Sequence, residues 1–474
     1  MLCVFLITLA TLAGCNVGPD YHAPATAMPA AWGEARGTAQ PARLAAWWKA
    51  FHDPAMDRLI ARTVEGNLDL RQAQERLTQA RAQRKIVAAQ QWPQVAVNGS
   101  YNRQRFSVNG LGGSAALGGA GGGGGAAAFT TAGENLYQAG FDATWELDVF
   151  GKIRRSVESA DASVAAANED LRNTLVTLLA ESALNYVQLR GFQRQLQVAQ
   201  DNLKAQRETL DLTQVRFKAG AASDLDVSQA QAQVDTTLAQ IPPLETSIRQ
   251  TMHLLGVLSG RDPMAFAELA DRASPIPAGP PDVPAGLPAD LLRRRPDIRR
   301  SERQLAAANA QIGVAVADLF PQFSLTAGAG LQSVDIGNFI DHGSVFWNVG
   351  PAMTWTIFDG GAIRANIELK TSQQRQAAIV YRQTVLTALQ EVEDALVAFA
   401  KEKVHRQALA AAAQSNQRSL DLSMQLYRNG RTDFLSVLDA ERALYAAQTS
   451  LAQSDSTLST DLVTIYKALG GGWE

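Results

Sequence analysis

The chain has 474 residues, and its 43 Lys and Arg stand against 46 Asp and Glu for a net charge of −3. That balance, with no basic stripe along any helical stretch, excludes a nucleic-acid-binding role. Charged residues make up only 19% while Ala and Gln abound, a composition suited to long helices that are partly buried.

Residues 1–14 read as a secretory signal peptide. Leu2 to Leu12 is an apolar run too short to cross a bilayer as a helix, and Leu12-Ala13-Gly14-Cys15 follows it. This tetrad resembles the lipobox of bacterial lipoproteins, which implies cleavage before Cys15 and a covalent lipid such as palmitate on that residue. No other cofactor is expected. No Lys or Arg precedes the apolar run, so further leader residues are expected upstream of Met1. Asn16 stands where an Asp would favour retention in the inner membrane. Cys3 and Cys15 are the only cysteines, so the mature chain holds no disulfide.

Residues 15–54 carry Gly18-Pro19-Asp20-Tyr21, four further prolines and Trp32, Trp47 and Trp48. They read as an extended strap whose aromatics lie on the rest of the protein. Repeat 1, residues 55–260, opens with helical signal from Ala55 to Gln91, stopped by Trp92-Pro93. Two strands follow. In the first, Val95, Val97, Gly99 and Tyr101 alternate with Asn98, Ser100 and Asn102. In the second, Tyr137, Ala139, Phe141, Ala143, Trp145 and Leu147 alternate with Gln138, Gly140, Asp142, Thr144, Glu146 and Asp148. After Val149-Phe150-Gly151 the period changes to three and four, and no proline interrupts Lys152 to Lys218. A helix of that length spans roughly 100 Å. Gly220 ends it, Ser223-Asp224 opens another, and the return helix is expected to reach about Leu238.

A Pro-rich connector, 261–288, leads to repeat 2, residues 289–464, with a tail at 465–474. The chain contains itself twice: Thr144-Trp145 recurs as Thr354-Trp355 and LDLTQVRFKAG as LDLSMQLYRNG, both 210 positions on. Phe323, Leu325, Ala327, Ala329 and Leu331 form one strand face, and Trp347, Val349, Pro351, Met353, Trp355 and Ile357 another. Helices from Ala362 to Arg428 and back through Val437, Leu444 and Leu451 have coiled-coil-like spacing.

The expected fold is therefore mixed α/β, with four strands per chain and an internal duplication. Sheet edges cannot lie in lipid, so only a closed barrel crosses a membrane. The smallest such barrels use about eight strands. Four are too few, and closure requires several copies of the chain. The polar set, including Gln138, Asp142, Thr144, Glu146, Asn348 and Thr354, then faces a wet lumen.

CNVGPDY at 15–21, the stretch 291–322 (LLRRRPDIRRSERQLAAANAQIGVAVADLFPQ), Phe358-Asp359-Gly360-Gly361 and YRNGRTDFLSVLDA at 427–440 resemble the outer-membrane efflux lipoproteins related to TolC, NodT and OprM. The resemblance covers essentially the whole mature chain. It implies a homotrimer with a transmembrane β-barrel of twelve strands, four from each chain, and a long α-helical barrel in the periplasm. The partners it implies are a periplasmic adaptor (membrane fusion protein), an inner-membrane RND-type transporter and outer-membrane lipid. The channel does no energy transduction and is not an enzyme. The resemblance places Leu435 and Asp439 as constricting rings at a periplasmic gate. It also places adaptor contacts at the two helix turns, through Phe217, Gly220, Asp224, Tyr427, Gly430 and Thr432. Thr432 and Ser436 stand where TolC has Arg and Asp, so that latch does not carry over.

Other features read as structural. Arg293-Arg294-Arg295 introduces the helix beginning at Pro296-Asp297, and Gly121 to Gly125 lacks the ending of a phosphate loop. The five histidines have no ligand spacing. Glu391, Glu393 and Asp394 read as a solvated helix face, and no nucleophile–base constellation appears. The rival reading is a structural or adhesive trimeric coiled-coil lipoprotein, which predicts heptads without duplicated strand pairs.

Overall fold

The computed structural model describes residues 16–33, 44–105, 134–280, 286 and 288–473. The expected signal peptide, Cys15 and the Gly121 to Gly125 run lie outside the described residues. Pro54–Gly66 (α1) and Leu68–Ala89 (α2) lead to strands Gln94–Gln104 (β1) and Glu134–Leu147 (β2), then to helices Lys152–Lys218 (α3) and Asp224–Leu258 (α4). Ala267–Asp271 (α5) and Leu291–Arg294 (α6) are short. Pro296–Ala317 (α7), Gln322–Ser333 (β3), Val345–Thr354 (β4), Ala362–Arg428 (α8) and Phe434–Ala468 (α9) complete the order. The helices of the duplication match in length, with 67 residues in α3 and α8 and 35 in α4 and α9.

The chain divides into two compact units. One comprises the described residues up to Ala23 with Ala80–Val164 and Gln304–Ala377. It holds a single antiparallel sheet in the order β1-β2-β3-β4. The register keeps each face uniform, because Val97 opposes Phe141, Phe141 opposes Ala329, and Ala329 opposes Trp347. On the reverse face Asp142 opposes Gly328, which opposes Asn348, and Asn98 donates to Asp142. Val97, Phe141 and Trp347 are exposed. The sheet thus has one apolar face that is left exposed among the described residues.

At the sheet's end the duplication extends to single hydrogen bonds. Trp145 Nε1 donates to the Gln91 carbonyl at 2.9 Å, and Trp355 Nε1 to that of Leu319 at 3.0 Å. Asp148 accepts from the backbone amides of Ile153 and Arg154, and Asp359 from those of Gly361 and Ile363. These carboxylates satisfy the orphan donors of the helix starts, and the bonds hold Asp359 below the usual carboxylate range. The strap is clamped here too. Buried Arg155 donates to the carbonyls of Val17 and Gly18 and pairs with Asp20 at 2.7 Å. Gly18 has φ +85°, and a Cβ there would lie 2.5 Å from Gly313 Cα.

The second unit comprises Pro24–Gln79, Ala165–Arg303 and the residues from Ala378 onward. Its main core joins Trp32, Trp47, Met56, Tyr186, Met252, Leu291, Val392 and Leu462. Trp47 stacks on Tyr466 at 5.2 Å, and Trp32 Nε1 donates to the Gly286 carbonyl at 3.1 Å.

Four expectations are corrected. The helical signal from Ala55 to Gln91 is two helices, because Asn67 ends α1 with ψ 131° and accepts from the Leu70 amide at 2.7 Å to cap the next. The return helix does not stop near Leu238 but runs through Pro242-Pro243 to Leu258. Its later turns are anchored by Ile248, Met252 and Leu255 in the core, which outweighs two missing backbone donors. The last helix passes residue 464 and reaches Ala468, with Ile465 and Tyr466 buried. Finally, the Glu391 face is not simply solvated, since Glu391 pairs with buried Arg295 at 2.7 Å.

Candidate functional site: the paired helix turns

The turns at the ends of α3 and α8 follow from their glycines. Gly220 and Gly430 have φ +71° and +69°, a region an L side chain occupies only with strain. Ala221 N donates back to the Arg216 carbonyl and Arg431 N to that of Leu426, closing the last turn of each helix. Ser223 and Asp226 then form a reciprocal capping box at the start of α4. Asp433 accepts from the Ser436 amide and hydroxyl at the start of α9, which holds its carboxyl below the usual range.

The two hairpins, α3–α4 and α8–α9, pack through a second core of Leu203, Leu210, Ala230, Val234, Tyr427, Phe434, Val437 and Leu438. Arg216 ties the turns together. Its Nη1 donates to the Tyr427 carbonyl at 2.8 Å and the Arg428 carbonyl at 3.3 Å, and its guanidinium lies 4.5 Å from the Tyr427 ring centre.

Leu435 and Asp439 sit one turn apart on an exposed stripe of α9, while Val437 and Leu438 point into the core. Leu435 is an apolar side chain left 50% exposed. Phe217, Gly220, Asp224 and Gly430 are exposed at the turns, and Thr432, half-buried, donates to Ser436 Oγ at 3.0 Å. Tyr427 is a correction. Only 3% exposed and packed 5.7 Å from Phe434, it is a core residue and offers no side-chain surface to a partner. Sequence reasoning also missed Arg216 and the exposed Leu225 beside Asp224. The apolar positions of the turns carry a readable signal, whereas the acceptors of Arg216 are carbonyls, which leave none.

This arrangement, outward small and apolar residues on a rigid helical tip and no convergent acid–base pair, suits contact and constriction. The profile of the outer membrane efflux protein family matches residues 59–261 and 287–471, one match on each copy of the duplication. The chain belongs to the outer membrane efflux protein family. Among its relatives are Nodulation protein T of Rhizobium leguminosarum bv. trifolii, 34% identical over 98% of this chain and 95% of its own length, and the antibiotic efflux pump outer membrane protein ArpC of Pseudomonas putida, 35% identical over 98% and 94%. The solved outer-membrane channel OprN superposes with TM-score 0.89 at 35% identity, covering 97% of this chain and all of that one. The Neisseria gonorrhoeae MtrE channel, solved in its open state, gives 0.80 at 28% identity over 97% and 99%. This outer membrane efflux protein is thus a channel, located in the outer membrane with its long helices in the periplasm.

Proposed function

We propose that three copies of this chain form the passive exit duct of a tripartite efflux pump for drugs or other small molecules. The observation that carries the reading is the open sheet. Its four strands, 10 to 14 residues long, end on β1 and β4 edges with no partner among the described residues. Unpaired backbone groups in hydrocarbon cost several kcal/mol each. Edge-to-edge closure of three four-stranded sheets removes every edge and yields twelve strands. Among the described residues no helix is long and apolar enough to cross a membrane. The apolar face of the strands meets lipid and their polar face water.

Within this duct Cys15 carries the lipid anchor after removal of 1–14. The two repeats supply its wall. Leu435 and Asp439 line the constriction at the periplasmic tip, one of each from every copy. Phe217, Gly220, Asp224, Gly430 and Thr432 meet the periplasmic adaptor, and Tyr427 supports that surface from behind. An inner-membrane RND-type transporter supplies the energy.

Fractionation of cells into inner and outer membranes, followed by electrophoresis of unheated detergent extracts, tests the assembly. A trimer-sized outer-membrane band that collapses to one chain on boiling is expected. A monodisperse single chain in mild detergent sinks the reading. Copurification of adaptor and transporter with the intact protein tests the partners.

A further inference from the structure

Among the described residues, the seam between the two tip hairpins buries one carboxyl, while the cations that reach across it, Arg216 and Arg442, are half-buried and exposed. Glu441 on α9 is 5% exposed and accepts a 2.6 Å hydrogen bond from Thr209 Oγ1 on α3. The buried polar residues of α3 in this stretch are Gln206, Thr209 and Thr213, and both amide atoms of Gln206 lack a hydrogen-bond partner. Those of α4 are Gln233 and Thr237, the latter with an unpaired hydroxyl. α8 contributes Leu420, Met424 and Tyr427, and a second phenol, Tyr445 on α9, donates across the seam to Gln240 on α4.

Among the described residues no charged side chain of these elements bonds to the carboxyl, and Arg216 on α3 is engaged instead by the Tyr427 and Arg428 carbonyls. Arg207, Glu208 and Asp211 on α3, Asp235 on α4, and Arg418 and Asp421 on α8 are all exposed. Arg442, the neighbour of Glu441 on α9, donates its Nε to Gln233 at 2.9 Å, and Asp439 lies on the exposed stripe. Burial pushes the Glu441 carboxyl above its ordinary range, opposed only by the bond from Thr209.

We propose that Glu441 is a gating residue whose protonation keeps the two hairpins packed and whose ionisation favours their separation. Protonated, the carboxyl is satisfied by Thr209 within the seam. Ionised, it is an unpaired charge among apolar and amide groups, and it gains water only when α9 moves away from α3. The packed tip binds the proton more tightly than the separated one. Packing is therefore at full strength below the solvated carboxylate value and weakens as pH rises through the raised one. This inference rests on the reading of the tip as a gate.

The test is the open fraction of the full-length protein in planar bilayers between about pH 4 and 8, where carboxyl groups titrate. Wild type, Glu441→Gln and Thr209→Val are compared, each with Asp439→Asn added so that the exposed stripe carries no carboxylate. Wild type opens as pH rises, by about tenfold for each unit separating the packed and solvated values. Glu441→Gln keeps the shape of the side chain and stays at the low-pH level throughout. Thr209→Val removes the one donor found among the described residues and extends the rise to higher pH. A detergent-resistant trimer verifies that each variant folds. A Glu441→Gln profile that follows wild type overturns the assignment and leaves the duct intact. Wild type that forms no channel overturns both.

Discussion

Replacement of Arg216 by Ala isolates what ties the two tip turns together. The guanidinium makes one short and one longer hydrogen bond, at 2.8 and 3.3 Å, to carbonyls at the end of α8, and it covers the Tyr427 ring. A hydrogen bond from a charged donor contributes about 1.5–3 kcal/mol and a cation–π contact about 0.5–1 at an exposed site. Arg216 is half-buried and its second bond is long, so the loss comes to about 2–3 kcal/mol once solvent screening is allowed for. At 1.4 kcal/mol per factor of ten this multiplies local opening of the second turn by roughly 30 to 150. Native-state hydrogen exchange of the backbone amides from Tyr427 to Phe434 reads that opening directly. Arg216→Lys keeps the charge but not the fork, and falls between the two. Exchange in Arg216→Ala within about threefold of wild type shows that the turns are held without this side chain.

Other perturbations follow from the same structure. Asp439→Ala raises single-channel conductance and lowers cation preference, since it removes a carboxylate from each copy at the proposed constriction; unchanged values in planar bilayers take Asp439 out of the gate. Asp461 is pushed up to about 6 by burial and by the neighbouring charge of Glu402. Its packed state therefore holds the proton more tightly, and the stability this brings below the ordinary carboxylate value is lost as pH rises through about 6. Asp461→Asn accordingly gains on the order of 2 kcal/mol at neutral pH and little in acid, a difference that thermal melts at the two pH values detect. Gly18→Ala sets a Cβ 2.5 Å from Gly313 Cα at a positive φ. It loosens the strap, read as faster proteolysis between Asn16 and Ala23 in the folded protein.

The strands and long helices were legible because their apolar residues repeat with the period of the element. Tyr137 to Leu147 alternates over a full strand, and Lys152 to Lys218 contains no proline. Periodicity reports a face but not how deeply that face is buried. Tyr427 shows the gap: three residues before the turn glycine Gly430 in sequence, it lies inside the tip core. The return helix, expected to reach about Leu238, continues through Pro242-Pro243 because the core contacts of its later turns hold it. Asn67 caps a helix through a bond to Leu70 that its sequence context does not announce. Glu441 looks like any polar residue on a coiled-coil helix, and its burial beside Thr209 depends on a partner 232 positions away.

The equal helix lengths of the two copies act as a ruler. Arg216 meets the second turn only because α3 and α8 each run 67 residues before reversing. Shortening one hairpin alone shifts its turn by about 10 Å for every two helical turns removed and leaves Arg216 facing the wrong carbonyls. The reach of the protein can therefore be changed only by matched insertions or deletions in all four helices. A variant trimmed by the same heptad in each would make a shorter duct with its tip contacts intact.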